Sequence, residues 1–173
     1  ACWDIMREQE YGRIVVTTSS SGLYGNFGQS NYGAAKMGVI GLMNTLVQEG
    51  AKYNIRVNAL APTAGTRMTE GLIDEKAFEL LTPETVTPAV LYLVGEDSPN
   101  RTILCAGAGS FAVTRIVESD SVWLSPEEQT PEGIAAHWGE ITSTEGEKAL
   151  QAGFEQSFKM VGKAVEGLGI KLD

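Results

Sequence analysis

The chain has 173 residues with 43% hydrophobic and 20% charged content, ordinary material for one globular core, and a net charge of −9 that argues against nucleic acid as a partner. It contains no apolar run of the roughly 18 residues that a membrane-spanning helix needs, so no membrane partner is expected. Cys2 and Cys105 are far apart without CxxC spacing and His137 is the single histidine, so neither a metal site nor a disulfide framework is expected, and the thiols are read as reduced.

In chain order, the first clear element is Gly12-Arg-Ile-Val-Val-Thr-Thr-Ser19, β-branched and apolar, which reads as a buried strand closed by the cluster Ser19-Ser-Ser-Gly22. The following Gly22-Leu-Tyr-Gly25-Asn-Phe-Gly28 has the spacing G-x-x-G-x-x-G rather than G-x-G-x-x-G. It is read as a flexible loop on the substrate side, leading into the next helix. From Asn31 to about Lys52, Met37, Ile40, Leu42, Met43, Leu46 and Val47 recur at helical intervals, while Gly33, Ala34, Ala35, Gly38 and Gly41 thin another face. Asn54 to Pro62 is β-rich and stopped by proline, which completes a strand, helix, strand crossover.

That crossover carries the chemistry. Tyr32 and Lys36 are spaced i, i+4 and therefore stand on one helix face, so an ammonium is placed beside a phenol. A nearby cation favours the phenolate, and a phenol that exchanges protons near pH 7 needs a shift of roughly three units from 10, or about 4 kcal/mol. The roles that follow are Tyr32 as general acid and base, Lys36 as the group that tunes it, and Ser19 as the hydrogen-bond partner of the reacting oxygen.

Further on, residues 70–81 mix acidic and apolar side chains and predict a surface or lid helix. Thr87-Pro88 starts a short helix from Ala89 to about Gly95. Ile103–Ala106 and Ser110–Val113 around Gly107-Ala-Gly109 read as one last strand with a glycine interruption. Ser125-Pro-Glu-Glu128 and Thr144-Glu-Gly-Glu147 read as capping boxes of two tail helices, the second carrying Leu150, Phe154, Phe158, Val161, Ala164, Val165 and Leu168. His137 falls on a surface helix after Thr130-Pro131, with a structural role. Asn100-Arg-Thr102 fits a glycosylation sequon by chance.

Thr18-Ser-Ser-Ser-Gly22, Tyr32-Gly-Ala-Ala-Lys36 and Asn58-Ala-Leu-Ala-Pro62 together resemble the short-chain dehydrogenase/reductase family. Within it, Gly22 to Tyr32 and Ala61 to Thr69 are most similar to the (3R)-hydroxyacyl-CoA dehydrogenase unit of peroxisomal multifunctional enzymes of fatty-acid β-oxidation and their bacterial relatives. The family's usual Pro-Gly is Pro62-Thr63 here, a departure which that subgroup shares. The resemblance implies an α/β fold, the C-terminal part of a doubly wound Rossmann-like parallel sheet. Three strands of the family sheet, with helices on both faces, would make up residues 1–118, and 119–173 would form a helical extension.

The resemblance also implies NAD or NADP as cofactor, held by Tyr32, Lys36, Pro62, Ala64, Gly65, Thr66 and Arg67, and hydride exchange with a 3-hydroxyacyl or 3-oxoacyl-CoA thioester. A 3-oxoacyl-carrier-protein reductase shares the pattern, although two acidic partners would repel. By the same comparison Ala1–Glu10 would be the last turns of a helix before the serine-bearing strand. The dinucleotide-binding glycines and the family's active-site asparagine would then lie off the chain, leaving its first strand as an open edge. The expectation is therefore a homodimer or a pairing with a missing N-terminal half, in the cytoplasm or a peroxisomal matrix. A fragment that assembles without catalysis is the reading of another class.

Overall fold

The computed structural model describes residues 1–66, 71 and 74–172. They form two compact units, Ala1–Thr114 and Arg115–Asp173.

In the first unit, α1 (Trp3–Gln9) leads into β1 (Gly12–Thr17), followed by the short α2 (Ser20–Tyr24) and the long α3 (Ser30–Gly50). A 3-10 turn, Ala51–Tyr53, connects to β2 (Ile55–Pro62). Then come α4 (Glu75–Leu80), α5 (Thr87–Val94), β3 (Ile103–Gly107) and β4 (Ser110–Thr114). The sheet order is β1-β2-β3-β4, with β1 and β3 both parallel to β2 and β4 antiparallel to β3. β1 is thus an edge strand among the described residues.

Alternation along the strands builds a core on each side of this sheet. Val57, Ala59, Ile55 and Ile103 face Ile40, Met43 and Val47 of α3, with Trp3 and Met6 of α1 packed beside them. Leu60 and Ala106 face the opposite way, against Val86, Ala89 and Leu93 of the α5 segment. The helices therefore lie on both faces, as the strand, helix, strand reading requires.

β2 is the strand between the cores, and one polar residue is sealed inside it. Asn58 is fully buried; its Nδ2 donates to Pro99 O at 2.7 Å and its Oδ1 accepts from Thr102 N at 2.9 Å. Asn100 Oδ1 accepts from Val57 N at 2.9 Å, so the sequon's amide is engaged in holding the 98–102 loop to β2.

The expected single last strand is instead a hairpin. Gly107 pairs with Ser110, and the two residues between them both have positive φ, 49° at Ala108 and 71° at Gly109. That is the backbone of a two-residue primed turn, which reverses the chain where the glycines read as an interruption. The sheet consequently has four strands, three of them parallel.

The start of the loop expected at Gly22–Gly28 is instead helical, because α2 occupies Ser20–Tyr24. The short helix predicted from Thr87-Pro88 is present at Thr87–Val94, and the helical part described within 70–81 is Glu75–Leu80.

In the second unit, α6 (Pro131–Ala136) and α7 (Trp138–Ile141) precede α8 (Gly153–Leu168). Neither expected capping box opens a helix. Glu128 Oε2 does accept from Ser125 N and Oγ, but these residues close a turn, and the helix begins later with Thr130 Oγ1 accepting from Gly133 N. Glu147 N bonds Thr144 O in another turn, and Leu150 lies ahead of α8. His137 sits at the C-cap of α6, with ring nitrogens 3.7 Å from Glu128 and 3.4 Å from Glu140.

Ion pairs hold α8 to the strand-like start of this unit: Lys159 pairs with Glu118, and Lys163 with Asp120 at 2.7 Å. The Lys159 ammonium, which donates to Glu118, and the Gln156 amide hold that carboxyl below the usual range, and the Lys163 bond does the same for Asp120.

Two predictions follow from these contacts. Asn58→Leu strands the Pro99 carbonyl and the Thr102 amide in the interior, so urea unfolding should show a loss of about 2–4 kcal/mol. Because the folded carboxyl pKa values are depressed, the stability they contribute is full above the ordinary carboxylate range and is lost as pH falls through the folded values. Near-ultraviolet circular dichroism of Trp123 and Trp138 should report this acid transition, and Lys159→Met should shift it to higher pH.

Candidate active site

Ser19, Tyr32, Lys36 and the segment after Pro62 all fall at the carboxyl ends of the parallel strands. In β1 the strand ends at Thr17, which pairs with Leu60, and in β2 at Pro62, which pairs with Ala106. Open α/β sheets bind ligands in the crevice outside this edge.

Ser19 is the N-cap of α2. Its backbone is extended (φ −160°, ψ 154°) and its Oγ accepts from Ser21 N at 3.2 Å. A hydroxyl that serves as acceptor to a helix amide keeps its own proton for a second partner. The strand-to-helix transition follows from the sequence: β-branched residues give way to three serines, which compete for backbone hydrogen bonds and favour caps.

Tyr32 lies in the first turn of α3 and Lys36 one turn later. The Lys36 ammonium stands 5.7 Å from the centroid of the Tyr32 ring and donates to Thr17 O at 3.0 Å. Tyr32 is 43% exposed, open to a reactant. The pair thus meets the end of β1, two residues from Ser19.

After β2 the chain turns along the same edge. Thr63 N donates to Ala106 O at 2.8 Å, and a Cβ at Gly107 would stand 2.6 Å from Thr63 O, so the glycine allows β3 to pass against this loop. Pro62, Ala64 and Gly65 are partly buried and Thr66 is exposed. Gly65 packs against Phe78 of α4, where an added Cβ would lie 3.0 Å from the ring. Arg67, expected beside them, lies outside the described residues.

Two residues that touch Lys36 were not singled out for it by sequence. Thr18, 1% exposed, donates its Oγ1 to Lys36 O at 2.7 Å. Gly22 lets α2 touch α3, since a Cβ there would lie 2.7 Å from Lys36 Cβ. A threonine at the end of a β-branched run carries no signal of such a bond. Asn58, a polar residue inside an apolar strand, did carry one.

Among the described residues, no group of three or more His, Cys, Asp or Glu side chains could hold a metal ion, and no helix is long and apolar enough to cross a membrane. The donors present are a hydroxyl, a phenol, an ammonium and backbone.

Comparison with known proteins shows which family the sequence and fold resemble. Residues 1–77 match the family model described as short chain dehydrogenase. A Mycobacterium tuberculosis protein named for the short-chain type dehydrogenase/reductase class is 48% identical over 156 residues, covering 90% of this chain and 54% of that protein. An acetoacetyl-CoA reductase of Acinetobacter is 47% identical over 103 residues, covering 53% of this chain and 41% of that one. The solved structure of full-length peroxisomal multifunctional enzyme type 2 from Drosophila melanogaster superposes with a TM-score of 0.83 at 35% identity, over 97% of this chain and 31% of that one. The chain belongs to the short-chain dehydrogenase/reductase family, and it spans about half or less of the length of each of these relatives.

The double use of Ser19 gives a test. Ser19→Ala should cost about 1 kcal/mol of stability through the lost cap, together with activity. Ser19→Asp should restore the cap but not activity, because a carboxylate accepts from Ser21 N and has no proton to donate; thermal melts read beside rates separate the two effects.

Proposed function

We propose that this chain supplies the proton-handling side of a nicotinamide-dependent oxidoreductase that interconverts 3-hydroxyacyl and 3-oxoacyl thioesters of coenzyme A. The observation that carries the reading is the meeting of the Tyr32–Lys36 pair with the end of β1, where Lys36 donates to Thr17 O two residues from Ser19.

A bound nicotinamide would take hydride from C3 of the substrate in oxidation and return it in reduction. In oxidation, Tyr32 Oη accepts the 3-hydroxyl proton as that C–H bond breaks; in reduction it returns a proton to the carbonyl oxygen. The Ser19 hydroxyl donates to the same oxygen and holds it while charge develops. Lys36 places a positive charge beside the phenol and offers its other ammonium protons to the nicotinamide ribose.

Lys36 and Tyr32 would hold the nicotinamide and ribose end of the cofactor, the ammonium and the phenol supplying the donors, with the Pro62, Ala64, Gly65 and Thr66 segment at the same sheet edge. We assign Arg67 to the pyrophosphate side by the family resemblance. NAD is taken as the cofactor, with NADP an equal fit to these residues.

The acetoacetyl-CoA reductase name of one relative supports a coenzyme A thioester as substrate, and the peroxisomal title of another supports fatty-acid β-oxidation as the setting. On that basis the compartment is the peroxisomal matrix for a eukaryotic source and the cytoplasm otherwise. The outer edge of β1, unpaired among the described residues, supports association with further polypeptide, a second copy or a dinucleotide-binding half.

In the intact protein, Tyr32→Phe should lower the rate of nicotinamide absorbance change with a 3-oxoacyl-CoA by about 10² to 10⁴. A variant with the parent's rate would sink the proton-transfer assignment.

A further inference from the structure

We propose that Thr18 is a positioning residue for the Tyr32–Lys36 pair, its buried hydroxyl fixing where the first turns of α3 stand over the end of β1. The inference rests on the oxidoreductase reading above.

Thr18 is held by the sheet, since its amide donates to Leu60 O at 2.8 Å, and from that fixed point its Oγ1 reaches Lys36 O at 2.7 Å. The preceding residue takes the other end of the same lysine, with Thr17 O accepting from Lys36 Nζ at 3.0 Å. The last residue of β1 and the one after it therefore hold Lys36 by ammonium and by backbone.

The opposite side of this turn is closed by α2. A Cβ at Gly22 would lie 2.7 Å from Lys36 Cβ and 2.9 Å from its carbonyl carbon, and one at Gly33 would lie 3.1 Å from Ser21 O. The two backbones meet at these glycines, with Gly33 between Tyr32 and Lys36 and Gly22 against Lys36.

The bond is not required to satisfy Lys36 O. That carbonyl sits inside a helix and already has its i+4 amide as donor, so the threonine hydroxyl is a second partner on its other lone pair. Removing the hydroxyl while keeping the side chain's shape leaves no orphaned acceptor, and stability and placement become separable.

The experiment compares Thr18→Val, Thr18→Ser and Tyr32→Phe in the intact protein, with thermal melts and steady-state kinetics on a 3-oxoacyl-CoA and reduced nicotinamide cofactor. Thr18→Val should melt close to the parent, lose about tenfold in kcat and keep the acyl-substrate KM within about twofold, with Thr18→Ser recovering the rate. A Thr18→Val enzyme with the parent's kcat, or a Thr18→Ser enzyme as slow as Thr18→Val, overturns the inference. If in that case Tyr32→Phe is still about a hundredfold slow, the oxidoreductase reading stands without it; if Tyr32→Phe keeps the parent's rate, both fall. Should Thr18→Val fail to fold, Thr18→Ala removes the same hydroxyl, and a folded Thr18→Ala with the parent's kcat overturns the inference equally.

Discussion

The first unit depends on β2 being paired in parallel on both sides. Its register with β1 puts Thr17 level with Leu60, and its register with β3 puts Pro62 level with Ala106, so the ends of three strands lie along one edge. Each face of β2 feeds a different core, and the strand interior is closed to water. A slip of one residue would exchange those faces and expose both cores, which is why this register is so strongly specified. Ser19, Tyr32, Lys36 and the Pro62 segment share an edge because of that pairing.

A buried strand with a polar residue at its centre must meet that residue's needs from close by. Asn58 does so with the backbone of Pro99 and Thr102, and Asn100 and Arg56 add bonds between the same loop and β2. The result is a tight connection from α5 to β3, which places β3 against the loop that follows β2. Order at the crevice thus starts from a hydrogen-bond network on the far side of the strand.

Much of this was legible in the sequence because its signals are periodic. The apolar run from Gly12, the helical recurrence from Met37 to Val47 and the proline at 62 each fix an element and its end, and the order of elements implies a parallel pair. The family motifs then named Ser19, Tyr32 and Lys36. Where the reading failed, the same local signal served two structures: Gly107-Ala-Gly109 suits an interrupted strand as well as a hairpin, and the turn depends on Ala108 taking a positive φ that alanine seldom adopts. The Ser125 and Glu128 side chains make the bonds of a capping box whether or not a helix follows. The Thr18 bond was illegible because its partner is a backbone carbonyl, and carbonyls are the same in every residue.

The burial of α3 is uneven along its length. Its buried residues are Ile40, Met43, Val47 and Gly50, whereas Tyr32 belongs to an exposed first turn. Eight residues separate Tyr32 from Ile40, about 12 Å of helix at 1.5 Å per residue. The far end of the helix is seated in the core, and without the bonds to Thr17 and Thr18 a tilt of about 5° there would carry the phenol about 1 Å. Seen this way, those two bonds set the angle at which a helix seated on Met43 and Val47 presents Tyr32.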